Sequence, residues 1–143
     1  MHIEAPTQFA YQIMTKPVFV ISPSTTLHAV SEIFADRRYR HIPVVASDGA
    51  LMGIISDRDF FRYRASTTHE NSRAQKEPVS SVMTSEVLVA TPDTRIREIA
   101  TTMFEERIGS VPIVESDGRL VGIITRSDIL RAIIAHGPTN LWA

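Results

Sequence analysis

Short apolar runs change period in a fixed order along this chain, and the order occurs twice. Val18-Phe19-Val20-Ile21 and Val87-Leu88-Val89-Ala90 are β-rich runs. Each is closed by a Ser/Thr-Pro step, Ser22-Pro23 or Thr91-Pro92, that ends a strand and leads into a helix start. Helical spacing follows: Leu27, Val30, Ile33 and Phe34 in one stretch, and Ile96, Ile99, Met103 and Phe104 in the other, predict an apolar stripe on a helix of about three turns. Next, Ile42 to Ala46 and Leu51 to Ser56 are joined through Ser47-Asp48-Gly49, as Val111 to Glu115 and Leu120 to Thr125 are through Ser116-Asp117-Gly118. The Asp-Gly step, whose glycine readily takes positive φ, predicts a hairpin turn in both places. A second helix is expected from Asp57 to about Arg64, and again from Arg126 to about His136. The pattern predicts one β-α-β-β-α unit made twice, in the mixed α/β (α+β) class.

The duplication holds its register throughout. Met14 and Met83, Pro23 and Pro92, Gly53 and Gly122, and Asp59 and Asp128 all stand 69 positions apart. Two copies of one supersecondary unit can bury their apolar faces against each other, so function is expected where the copies meet. The organisation expected is an N-terminal segment and first repeat over 1–65, a polar linker over 66–78, a second repeat over 79–136 and a tail over 137–143. The linker has no large apolar residue and reads as solvated. Ahead of Met14, Phe9, Tyr11 and Ile13 alternate with polar or small residues, which suits a strand or a single helical turn equally. Gly137-Pro138 ends the last helix, and Trp142 in the tail is expected to dock on a surface groove.

Composition narrows the function classes. With 143 residues, 43% of them hydrophobic, there is chain enough for one core or two fused half-cores. Fifteen basic and 16 acidic residues give a formal charge of −1, so no electrostatic footprint marks nucleic acid or an anionic membrane as partner. The absence of cysteine removes disulfides, thiolate nucleophiles and cysteine metal sites and suits a reducing compartment. No apolar run approaches the roughly 18 residues of a membrane span. Met1-His2-Ile3-Glu4-Ala5-Pro6 lacks the pattern of a signal peptide, and the cytoplasm is the expected location. His2, His28, His41, His69 and His136 lack ligand spacing, so no metal is expected. Asp57 and Asp59 diverge at a helix start and form no acid–base pair. Ser110 follows Gly109 without a Gly-x-Ser-x-Gly elbow, and there is no Gly-x-x-x-x-Gly-Lys phosphate loop. Met14, Met52, Met83 and Met103 read as core. Gly49, Gly53, Gly118 and Gly122 read as turn and close-packing residues. No catalysis and no resident cofactor are expected.

The Met-Thr opening, the Ser/Thr-Pro step, the apolar-Pro-apolar-apolar run, the Asp-Gly hairpin and the Gly-Ile-Ile-[Ser/Thr]-x-x-Asp closure together resemble the CBS domain, named after cystathionine β-synthase. The resemblance covers nearly the whole chain. It implies a tandem pair of β-α-β-β-α repeats related by a pseudo-two-fold axis, with their sheets in contact. Such pairs commonly sense adenine nucleotides or S-adenosylmethionine, often associate into flat homodimers, and mostly regulate an attached effector. Nothing outside the pair is long enough to be an effector domain here, so an effector protein of unknown identity is the partner to expect.

Ser56-Asp57-Arg58-Asp59 and Thr125-Arg126-Ser127-Asp128 are the first candidates for chemistry. A carboxylate with a hydroxyl three residues earlier at a strand-to-helix junction can accept from both hydroxyls of a ribose, and the helix start supplies amides for a phosphate. The same spacing is also a helix N-terminal capping arrangement, and both readings can hold at once. Asp36-Arg37-Arg38-Tyr39-Arg40-His41 is the basic cluster, replaced in the second copy by Glu105-Glu106-Arg107-Ile108-Gly109-Ser110. Arg37 and Arg38 are expected to complement a helix C-terminus. The resemblance implies one cleft from Ser22, Tyr39, Arg40, His41, Ile42, Thr125 and Asp128. The other would use Thr91, Ile108, Gly109, Ser110, Val111, Ser56 and Asp59. Arginine and histidine suit phosphate oxygens, so the first cleft is expected to prefer a charged tail. The function expected is a regulatory module that senses an adenosine-containing ligand, AMP, ADP, ATP or S-adenosylmethionine, in inter-repeat clefts. The alternative is a structural or protein-interaction module with vestigial clefts.

Overall fold

The computed structural model describes residues 7–66 and 75–137. Trp142, its expected docking and the middle of the linker lie outside the described residues. In chain order the elements are helices α1 (Ala10–Ile13) and α2 (Leu27–Ala35), strands β1 (His41–Val45) and β2 (Leu51–Ser56), helix α3 (Asp57–Ser66) and a 3-10 turn at Val79–Ser81. Helix α4 (Ile96–Glu106), strands β3 (Ser110–Val114) and β4 (Leu120–Thr125) and helix α5 (Arg126–His136) complete the second copy. The chain forms two compact units. The first unit is Phe19–Val87, and the second joins Met1–Val18 to Leu88–Ala143.

The paired strands of each unit are an antiparallel hairpin with Ile42 opposite Ile55 and Val44 opposite Gly53, or Val111 opposite Ile124 and Ile113 opposite Gly122. The turns are as predicted. Gly49 takes φ +88° and Gly118 φ +89°, and the amide of Ala50 donates to Asp48 Oδ1 at 3.0 Å, the pattern of a three-residue loop with glycine in the left-handed position. The runs predicted as leading strands make a single parallel bridge each, Ile21 to Val44 and Ala90 to Ile113. The reason is proline. Extending the first bridge toward Phe19 needs an N–H from Pro43, and extending it the other way needs one from Pro23; Pro112 and Pro92 stop the second in the same manner.

Segment membership departs from the repeat boundaries. Thr84 exchanges two backbone hydrogen bonds with Ile54, both 2.9 Å, and so belongs to the first unit; Thr15 exchanges bonds of 2.8 and 3.1 Å with Ile123 in the second. Both crossings need glycine. A Cβ on Gly53 would lie 2.7 Å from Met83 Sδ and from the Thr84 carbonyl oxygen, and one on Gly122 would collide with Met14 Sδ. The ambiguous N-terminal stretch is a helical turn, because Gln12 Oε1 accepts the amides of Gln8 and Phe9, each at 2.8 Å, and Ala10 is the residue that buries. The end of the linker is tied down as well. Leu27 N–H donates to the Glu77 carbonyl, Val79 N–H to that of Thr25, and the Tyr63 hydroxyl to Glu77 Oε2 at 2.5 Å.

The first unit packs Ile21, Leu27, Val30, Phe34, Ile42, Val44, Ile55, Phe60 and Val79 in its core. The second packs Ala10, Ala90, Ile99, Met103, Val111, Ile113 and Ile124, with Ile96 and Ala132 in a smaller cluster. Two expected core residues are outside. Phe104 is 85% exposed because Met103 stands in the place of Phe34 in the repeat register, which leaves the next residue on the solvent face of α4. Met52 is 44% exposed because Gly53 and Ile55 turn inward from β2 and the side chain at 52 turns out.

Candidate functional site: two strand-to-helix corners

In each unit the second strand runs directly into a helix, with no loop between Ser56 and Asp57 or between Thr125 and Arg126. The start of the first strand lies across from this junction. His41 pairs with Ser56, and Ser110 with Thr125. The Asp57 amide donates to the Arg40 carbonyl at 2.9 Å, and that of Arg126 to the Gly109 carbonyl at 3.3 Å. Within the first unit Arg40, His41, Ser56 and Asp59 therefore share one corner, and within the second Gly109, Ser110, Thr125 and Asp128 share another, a grouping by unit that differs from the clefts implied by the resemblance, which set Arg40 and His41 with Asp128 and Gly109 and Ser110 with Asp59.

The corners differ in their carboxylates. Ser56 Oγ accepts the Asp59 amide at 3.1 Å, a helix cap. The Asp59 side chain remains 46% exposed, with Oδ1 3.7 Å from Arg62 Nη1. Asp128 is 4% exposed. Its Oδ2 accepts the Thr125 amide at 2.8 Å and the Thr125 hydroxyl at 3.1 Å, while Oδ1 accepts the Thr15 hydroxyl at 2.7 Å and Arg131 Nη1 at 3.0 Å.

The other candidates divide between side chains that reach the surface and side chains that do not. Ile42 is fully buried and Val111 nearly so, in the cores of their units, and neither reaches the surface to meet a ligand. Ser110 is also buried. Tyr39 is half-buried and stacked on Phe19, with ring centroids 4.4 Å apart and planes 11° from parallel; Ile108 is half-buried in the second unit. Arg40 is exposed and His41 half-buried. Ser22 and Thr91 are exposed in turns that lead to α2 and α4, Ser22 beside the Ser24 and Thr25 hydroxyls and Thr91 donating to Asp93. Arg37, with φ +59°, and Arg38, 3.3 Å from Asp36, follow the end of α2 and are exposed.

Sequence reasoning missed three contributors: Thr15, Arg131 and Phe19. A signal for the first two was present, since Met-Thr opens both copies and an arginine stands three residues after both Asp59 and Asp128, an i,i+3 spacing. For Phe19 the signal was weaker, because Leu88 holds its place in the second copy. Among the described residues no three His, Asp or Glu side chains gather as a metal site, and no helix is long and apolar enough to cross a membrane.

Paired hairpins, each feeding a helix through a [Ser/Thr]-x-x-Asp corner, define a duplicated α/β module. The chain belongs to the CBS domain family, whose profile matches residues 10–66 and 79–135. It is 33% identical to a CBS domain-containing protein of Dictyostelium discoideum, over 86% of this chain and 89% of that one. The CBS domain pair of protein MJ0100, solved in complex with 5′-methylthioadenosine and S-adenosyl-L-methionine, is similar with a TM-score of 0.79 and 27% identity, covering 91% of this chain and 98% of that pair. CBSX2, solved in complex with AMP, also reaches a TM-score of 0.79, with 26% identity over 89% of this chain and 96% of its own.

Proposed function

We propose that this CBS pair is a regulatory module that senses an adenosine-containing ligand, with no reaction of its own. The observation that carries the reading is the first corner, where the partly exposed Asp59 carboxylate stands at a capped helix start beside Arg40 and His41. A carboxylate so placed accepts from vicinal ribose hydroxyls, and the first amides of α3 together with Arg40 suit a phosphate. The complexes of MJ0100 and CBSX2 support the ligand class. Occupancy acts by favouring the conformation that binds best, which an effector protein then reads.

The chain acts as a homodimer in this reading. Phe61 on α3 and Leu130 and Ile134 on α5 are 52%, 60% and 86% exposed, so the second helix of each unit carries exposed apolar side chains that suit a contact between copies.

A thermal-shift panel of AMP, ADP, ATP, S-adenosylmethionine and NADH tests the reading. A ligand present at about 100 times its Kd adds about 2.7 kcal/mol to the native state, or several degrees in melting temperature for a chain of this size. If none of the five raises the melting temperature, the interaction-module alternative replaces this one.

A further inference from the structure

We infer that the two corners are not equivalent: Asp128 is a latch that fastens the Met14-Thr15 segment to α5, and Asp59 is the one carboxylate per chain that holds a ligand. The inference rests on the reading of the corners as nucleoside sites and concerns how many of them work.

An ionised carboxylate offers about four acceptor positions. Asp128 fills them with the Thr15 hydroxyl, the Thr125 amide, the Thr125 hydroxyl and Arg131, and is 4% exposed. Two of those donors cap the helix, and one belongs to a segment 113 residues away in the chain. A ribose at Asp128 would have to displace the Thr15 hydroxyl or the Arg131 guanidinium, exchanging one charge-assisted bond for another with no net gain. Asp59 lacks this saturation. Thr84 holds the place of Thr15 in the duplicate and, like it, is exposed and exchanges backbone bonds with the second strand, but its hydroxyl makes no hydrogen bond to Asp59 among the described residues. The serine at 56 caps the Asp59 amide and leaves the carboxylate outward.

Calorimetry with AMP, thermal melting and amide hydrogen exchange on the wild type and on Asp59→Asn, Asp128→Asn and Thr15→Val test this. The expected result is one AMP per chain. Asp59→Asn should lose roughly tenfold or more in affinity and melt as the parent does. Asp128→Asn and Thr15→Val should keep affinity within about twofold, melt lower, and exchange faster at the Thr15 and Ile123 amides. Thr15→Val carries the test if Asp128→Asn does not fold, because it removes the latch and leaves the helix cap in place. Two equal sites per chain, or tenfold weaker binding by Asp128→Asn or Thr15→Val with parental melting, would overturn the inference. A wild type that ignores AMP sinks the one-site claim through the reading beneath it. The latch then stands or falls on melting and exchange alone, and parental values in Thr15→Val end it.

Discussion

One added methyl group should separate two glycines that look alike in the repeat. At Gly122 the three atoms nearest a new Cβ all belong to the side chain of Met14, whereas at Gly53 one of the three is the Thr84 carbonyl oxygen, held in place by the paired bonds to Ile54. A thioether can swing aside and a hydrogen-bonded backbone cannot. Overpacking costs about 1–3 kcal/mol, so Gly53→Ala should lie near the top of that range and Gly122→Ala near the bottom. Urea unfolding of both variants decides it, and equal losses would mean that the 84 segment is as soft as a methionine tail. Arg40 carries the second prediction at this scale. A guanidinium that meets only the phosphate should lower affinity for AMP on Arg40→Ala and leave adenosine untouched, with an effect that shrinks as salt is added because the residue is exposed. Equal losses for both ligands would return Arg40 to the scaffold.

Helix α3 and the end of the linker make one element through the Tyr63–Glu77 bond. That bond, then burial, then the Glu77 charge, push the Tyr63 phenol above its ordinary 10.0. A raised folded value means that the stabilisation is complete below the unfolded pKa and is lost as pH climbs through the folded one, so the loss begins near pH 10.0 and continues above it. Tyr63→Phe should therefore be less stable than the parent at neutral pH by about 1 kcal/mol and should show a shallower alkaline loss. Urea midpoints on either side of pH 10.0 check both parts; parallel alkaline limbs would remove Tyr63 from the cause. The prolines belong to this scale too. Pro23 and Pro43 stand in plain sight in the sequence, and their missing N–H groups account for a bridge where β-propensity alone suggests a strand.

For the whole molecule, the second helices bury one stripe and expose another. Phe60 and Ala132 are buried, Tyr63, Ile129 and Ile133 are half-buried, and Phe61, Leu130 and Ile134 face outward. Light scattering should report about 32 kDa, twice the 16.0 kDa chain. Ile134→Glu should shift it to 16.0 kDa while the monomer keeps its fold, since that side chain makes little contact within its own chain. A wild type that already runs at 16.0 kDa at micromolar concentration would remove the dimer.

The elements themselves were determined by the sequence alone. The periods of the apolar positions, the Asp-Gly turns and the constant 69-residue register are local or repeating signals, and they placed the hairpins, the long helices and the [Ser/Thr]-x-x-Asp corners. They were enough to mark Ser56, Asp59, Thr125 and Asp128 as helix-start residues. Two things were decided only by tertiary structure. One is that residues ahead of Phe19 pack with the second repeat, because a segment chooses its unit by where Gly122 leaves room for Met14 and Ile123 offers backbone partners. The other is the fate of two aspartates with the same local pattern, one open and one enclosed. Local sequence treats them as copies; the Thr15 hydroxyl that closes one of them arrives from 113 residues away, and no pattern confined to a single repeat contains it.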